Sequence, residues 1–214
     1  MPKGSPNTGP LVLALSAAAV LLGALSLWLY LSGQQPEDGS AEAGFARDMS
    51  VHHAQAVEMA EIVRDKTQSE EIRLLAADMA LTQQGQIGRM QGWLGVWDLP
   101  ATGTEPAMSW MGHPTEGRMP GMASPEEIER LRNASPEEAD ELFLQLMIRH
   151  HRAAVPMAGA IVGRTDLPEV ENLARAIAAS QEGEIQTMKD MLKERGSGAP
   201  SGAHSHEHGH SHDH

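Results

Sequence analysis

The sequence predicts an all-α protein: an antiparallel four-helix bundle built from two duplicated αα-hairpins, preceded by an N-terminal transmembrane helix. Three observations predict it. The string Phe45-x3-Met49-x2-His52-His53-x3-Val57-x-Met59-Ala60 recurs as Phe143-x3-Met147-x2-His150-His151-x3-Val155-x-Met157-Ala158, an offset of 98 positions that carries 45 to 143. The offset holds without a gap through Thr67 and Thr165, Gln83 and Gln181, Gly85 and Gly183, Met90 and Met188, and Leu94 and Leu192. Self-similarity at a fixed period marks a repeated supersecondary unit. The composition, 41% hydrophobic but only 3% aromatic, gives a core of Ala, Leu, Ile, Val and Met. In both copies the apolar residues recur at helical spacing, and two hairpins with apolar stripes bury them against one another.

The chain opens with an uncharged run, Leu11 to Leu31, which as a helix at ~1.5 Å per residue reaches about 31 Å, enough for a bilayer core. Trp28 and Tyr30 sit at its far end, where interfacial aromatics belong, and no A-x-A cleavage site follows before Gln34-Gln35-Pro36. Residues 1–36 therefore read as an uncleaved, single-pass anchor. Lys3 and the amino terminus are the only nearby positive charges, so the remainder lies extracytoplasmically, in the periplasm or at the cell surface. A cleaved export signal is the alternative, and it exports the same residues.

Residues 37–195 form the bundle domain. The first repeat, about 42–97, holds a helix from Ala41 to about Arg64, the turn Asp65-Lys66-Thr67-Gln68, and a helix from Ser69 to about Trp97. Gly85, Gly88, Gly92 and Gly95 each cost that second helix roughly 1 kcal/mol relative to Ala, which close approach of a neighbouring backbone could offset. The second repeat, about 136–195, begins at Ser135-Pro136-Glu137-Glu138, an N-cap serine with proline at N1, and runs to about Gly163. Asp166-Leu167-Pro168 starts its second helix, which ends near Gly196. Between the repeats, 98–124 is a Pro- and Gly-rich linker with four methionines and a histidine, and Ser124-Pro125-Glu126-Glu127 caps a short helix. Residues 196–214 form a flexible, His-rich tail.

The formal charge of −13 argues against nucleic acid as a partner and favours cations or basic partners, and the lack of cysteine excludes disulfides, thiolate metal sites and thiol nucleophiles. The 13 methionines supply thioethers, soft ligands that disulfide chemistry cannot consume. On a helix, Met49, His52, His53, Ala56, Met59 and Ala60 share an arc of about 120°, a core-facing stripe. Met49 can pair with His52 or His53, while Met59 needs a ligand from another helix. The second copy offers Met147, His150, His151 and Met157, but Arg149 and Arg152 bracket its histidines, and Pro156 removes a helical hydrogen bond and kinks the helix. Met108, Met111, His113, Met119 and Met122 place soft donors on the linker, which otherwise packs as an apolar flap over the bundle mouth. His204, His206, His208, His210, His212 and His214 suit borderline ions, Cu(II), Ni(II) or Zn(II). Imidazole with thioether suits copper or silver.

The duplicated Phe-x3-Met-x2-His-His-x3-Val-x-Met-Ala element, with Met119-Pro120-Gly121-Met122 between its copies, resembles the bacterial "domain of unknown function 305" family over roughly residues 42–195. The resemblance implies a ferritin-like fold, a family that includes periplasmic copper-binding proteins of the CopM type, and copper-related positions at Met49, His52, His53, Met59, Met147, His150, His151 and Met157. The reading is a membrane-anchored extracytoplasmic protein that sequesters Cu(I) or silver at Met/His sites and collects Cu(II) on its tail, without catalysis. A metal transporter or a second copy of the chain are the further partners it leaves open. Two alternatives stand beside it. One is a ferritin-like metal-dependent oxidase, which needs Glu-x-x-His pairs that none of the four helices contains. The other is a structural or partner-binding bundle whose tail alone binds metal.

Overall fold

The computed structural model describes residues 9–32 and 35–196. The chain divides into two units, one ending at Glu37 and one beginning at Asp38. The first contains α1 (Gly9–Ser32), whose side chains are described without interruption from 12 to 28 and are exposed along that stretch. Among the described residues, no helix is long and apolar enough to cross a membrane. The fold does not establish the expected anchor.

The second unit contains α2 (Ala41–Lys66), α3 (Glu70–Val96), a 3-10 turn at Ser109–Met111, α4 (Pro125–Asn133), α5 (Pro136–Val162) and α6 (Pro168–Gly196). Serines start the first four of these α-helices. Ser40, Ser69, Ser124 and Ser135 accept from the backbone N–H groups of Ala43, Ile72, Glu127 and Glu138, satisfying donors that the first helical turn leaves without partners. Ser124 and Glu127 bond reciprocally in a capping box. Each hairpin packs internally, α2 on α3 and α5 on α6, and the two join through α2 against α5. Pro156 sits inside α5, which continues to Val162.

Gly85, Gly88, Gly92 and Gly95 correct one expectation. No backbone approaches them: a Cβ added at any of the four meets nothing within 4 Å. Yet α3 is continuous from Glu70 to Val96, because Ile72, Ala76, Met79, Met90 and Leu94 anchor its other face. Gly88→Ala with Gly92→Ala is therefore expected to stabilise the protein by up to about 1 kcal/mol per site, through helix propensity. A thermal melt should rise by several degrees, and a fall would show that those positions need glycine.

The interior is two apolar clusters with a polar layer between them. At one end, Met59, Ala60 and Val63 of α2 pack with Met79 of α3, Phe143 and Met147 of α5 and Met188 of α6. At the other, Phe45 and Met49 pack with Met90, Leu94, Met157, Ile161 and Ile177. The linker closes this second end and is folded. Asp48 accepts from the Met108 backbone N–H at 2.7 Å and from Trp110 Nε1 at 2.8 Å. Trp110 lies over Gly44, where a Cβ would stand 2.5 Å from the indole, and meets Phe45 edge-on. Arg47 ties the same segment down by donating to the Pro100 and Asp38 carbonyls.

Candidate metal centre

The polar layer is where α2 and α5 cross, and it is made by the duplicated motif. His52, His53, His150 and His151 are each fully buried, and Gln83 of α3 and Gln181 of α6 flank them at 3% and 2% exposure. The rings of His52 and His150, equivalent residues of the two repeats, lie with centroids 3.7 Å apart and planes tilted by 38°. His53 and His151 are turned from their neighbours by the 100° helical step. Burying six polar side chains mid-core is unfavourable unless partners satisfy them.

Two ring nitrogens of the layer have a close acceptor. His52 Nε2 lies 3.2 Å from the Pro120 carbonyl oxygen, and His151 Nε2 lies 2.6 Å from the Glu184 carboxylate. Both partners are acceptors, so each receives the Nε2–H, and in the neutral His52 ring that leaves Nδ1 as an unprotonated lone pair. The Nδ1 atoms of both rings are buried without a hydrogen-bond partner, as are both nitrogens of His53 and of His150 and the amide atoms of Gln83 and Gln181. Burial lowers the pKa of His52 to about 4 and of His53 to about 3, the latter with a further contribution from His52. His150 falls well below its ordinary value, chiefly through burial and then through the surrounding histidines. At neutral pH these three rings are uncharged, the form that binds a metal.

One wall of the layer is the linker. Gly121, at φ +78°, rests on α5, where an added Cβ would come 2.5 Å from Ala153 Cβ and 2.9 Å from the Arg149 carbonyl oxygen. Only glycine allows that approach. Gln55 fixes the same segment by donating to the Ala123 carbonyl at 3.0 Å and accepting from its N–H at 2.6 Å. The Met119–Met122 turn is thus held over His52 and His150.

Antiparallel packing crosses the methionines between repeats. Met49 and Met157 share one apolar cluster with Met108 and Met119, and Met59 and Met147 share the other. Met59 thus shares its cluster with Met147 of α5, Met79 of α3 and Met188 of α6. Met111 and Met122 are partly buried against the first of these clusters, and His113 is exposed, away from the histidine layer. The arginines beside His150 and His151 face an acid and solvent. Arg149 pairs with both carboxylate oxygens of Glu127, at 2.7 and 2.6 Å, and Arg152 is exposed. The six tail histidines lie outside the described residues. Among the described residues, no three His, Asp or Glu side chains are grouped closely enough to hold a metal by themselves.

The family model for the domain of unknown function DUF305 matches residues 42–192, which contain both repeats and the linker. The chain belongs to the DUF305 family. A DUF305 protein from Streptomyces coelicolor, which bears the name of a secreted protein, superposes with a TM-score of 0.72 at 50% identity, over 75% of this chain and 96% of that one. A DUF305 fragment from Deinococcus radiodurans gives 0.62 at 38% identity, over 72% and 95%. CopM in its Cu(II)-bound form gives 0.56 at 27% identity, over 73% and 97%, and CopM also matches in Cu(I)- and silver-bound forms. An uncharacterized protein of Acanthamoeba polyphaga mimivirus is 43% identical over 56 residues, which span 37% of its length. The DUF305 duplication thus coincides with the polar layer.

Gln83, Gln181 and Glu184 were not among the residues singled out from the sequence. Gln83 and Gln181 are visible there as a repeat pair, and each interrupts an otherwise apolar helical stripe, which is the signal that they face inward.

Proposed function

We propose that this protein is an extracytoplasmic, membrane-anchored metal-binding protein that sequesters monovalent copper or silver as cargo at its histidine layer, with no catalytic turnover. One observation supports it most directly. Two buried imidazoles have Nε2–H committed to an acceptor and Nδ1 left without a partner, the arrangement that orients a histidine for a metal, in a layer bounded on both sides by methionines. His52, His53, His150 and His151 would supply imidazole, and Met49, Met59, Met147 and Met157, with Met119 and Met122 from the linker, thioether. Such a soft donor set suits Cu(I) and silver. That the similar CopM was obtained with Cu(I), Cu(II) and silver is in keeping with this. The tail histidines would collect Cu(II), Ni(II) or Zn(II). The anchor rests on the uncharged run Leu11 to Leu31 and on the exposed Leu13, Val20, Leu21 and Leu22 around α1, a helix apolar on all sides that water would not favour.

A scaffold whose metal binds only to the tail is the competing reading, because no three histidines or carboxylates of the described residues converge. Anaerobic Cu(I) competition against a chromophoric chelator separates the two, using the full chain with its six tail histidines replaced by Ser. Tight stoichiometric binding is expected, with affinity falling at least about 10- to 100-fold when His52, His53, His150 and His151 all become Gln. Unchanged binding after those four substitutions would sink the bundle site.

A further inference from the structure

The two halves of the histidine layer are not equivalent, and the difference is one of charge. The repeat offset that pairs His53 with His151 also pairs Gln86 with Glu184. In the second half, the Glu184 carboxylate accepts from His151 Nε2 at 2.6 Å, with His151 fully buried and the Glu184 side chain 17% exposed. In the first half, position 86 carries a neutral amide, Gln86, beside His53, so that half has no carboxylate at the equivalent place. Two nearby acids are already committed elsewhere. Asp48, one turn before His52, is engaged by the Met108 N–H and Trp110 Nε1, and Glu127 is engaged by Arg149. We propose that Glu184 makes the His151 half of the layer the seat of a divalent ion, Cu(II) in the first instance, whereas the His53 half takes a monovalent one. This rests on the metal-binding reading above.

The physical reason is the cost of burying charge. Moving an ion from water into a protein interior grows steeply less favourable with its charge, and a fixed counter-charge in that interior offsets it. Neutral imidazole, thioether and amide groups solvate a single positive charge but compensate none of it. A carboxylate bonded to the ligand imidazole adds a full negative charge and makes Nδ1 a stronger donor. Glu184 is thus a positioning residue, acting on the metal through His151, and its effect should fall on the second positive charge.

The test uses the full chain with tail histidines replaced by Ser, and measures Cu(II) and Cu(I) affinities separately by competition. In Glu184→Gln, Cu(II) affinity is expected to fall 10- to 100-fold, the usual range for a carboxylate behind a ligand histidine, with Cu(I) affinity changing less than about threefold. The Cu(II)/Cu(I) potential of the bound metal should then rise by about 59 mV for each tenfold. Gln86→Glu should do the reverse in the first half, raising bound Cu(II) by one equivalent. Equal loss of both ions in Glu184→Gln, or no loss of either, overturns the inference and leaves the metal-binding reading intact. A parent protein that binds neither ion overturns both.

Discussion

Lowering the pH from 7 to 4 is expected to unfold the bundle, with stability level above about pH 7 and falling steadily below 6.5. The cause is the histidine layer. His52 titrates at about 4 and His53 at about 3 in the folded protein, against 6.5 for an exposed ring, because burial disfavours the charged form. Between those values and 6.5 the unfolded chain binds more protons than the folded one, so stability rises with pH across that window and is lost as pH falls through it. For His52 alone the drop from 6.5 to about 4 corresponds to roughly 3 kcal/mol, at 1.4 kcal/mol per pH unit, and His53 and His150 act in the same direction. Whole domains are stable by only about 5–15 kcal/mol. Two carboxylates contribute lower down. Glu127, held to about 2 mainly by Arg149, adds to the acid loss below 4.5, although its exposure makes that share small. Asp48 is raised by burial and works the other way, taking up a proton more readily folded than unfolded. Melting temperatures followed by far-UV circular dichroism from pH 8 to 4 would show the slope. A flat profile between 7.5 and 4.5 would mean that the layer is hydrated or open.

The duplicated motif made the fold legible. Helical periodicity and capping placed α2, α3, α5 and α6 within two residues of their observed ends and the start of α4 at its Ser124 cap, because capping and apolar spacing are local properties that tertiary packing here reinforces. The burial of all four histidines was legible for the same reason, since His52, His53 and their repeats fall on the core stripe. What local sequence does not encode is which residues meet across helices. Glu184 lies 33 positions after His151, and Pro120 lies 68 after His52. Both contacts depend on how α6 and the linker lie against the α2–α5 pair. The glycines of α3 show the opposite failure: a local cost was visible, and the close packing offered to explain it does not exist. Likewise the sequence shows Arg149 and Arg152 beside the second histidine pair but not that α4 places Glu127 against the first of them.

His150→Leu is expected to move stability and metal binding in opposite directions. Both ring nitrogens of His150 are buried without partners, and its ring lies against that of His52, with its Cα beneath Gly121. A buried donor or acceptor left unmade costs about 1–3 kcal/mol, and replacing it with an apolar group of similar shape removes that cost. Leucine is close enough in volume to fill the buried position between Met147 and Ala154 on the core face of α5. The metal-free variant should therefore be more stable than the parent by about 1–3 kcal/mol, and its acid slope should be shallower because one of the depressed rings is gone. Cu(I) affinity should fall at least tenfold, since an imidazole beside His52 has been removed. Chemical denaturation of the metal-free protein, paired with the Cu(I) competition assay, reads both quantities on one preparation. If His150→Leu instead destabilises the metal-free protein by 2 kcal/mol or more, His150 is satisfied by buried water and helps hold the bundle together. A polar layer that lowers the stability of the empty protein is what a binding site looks like before its ligand arrives, since the same lone pairs that go unmet in the core are the ones a soft cation would take.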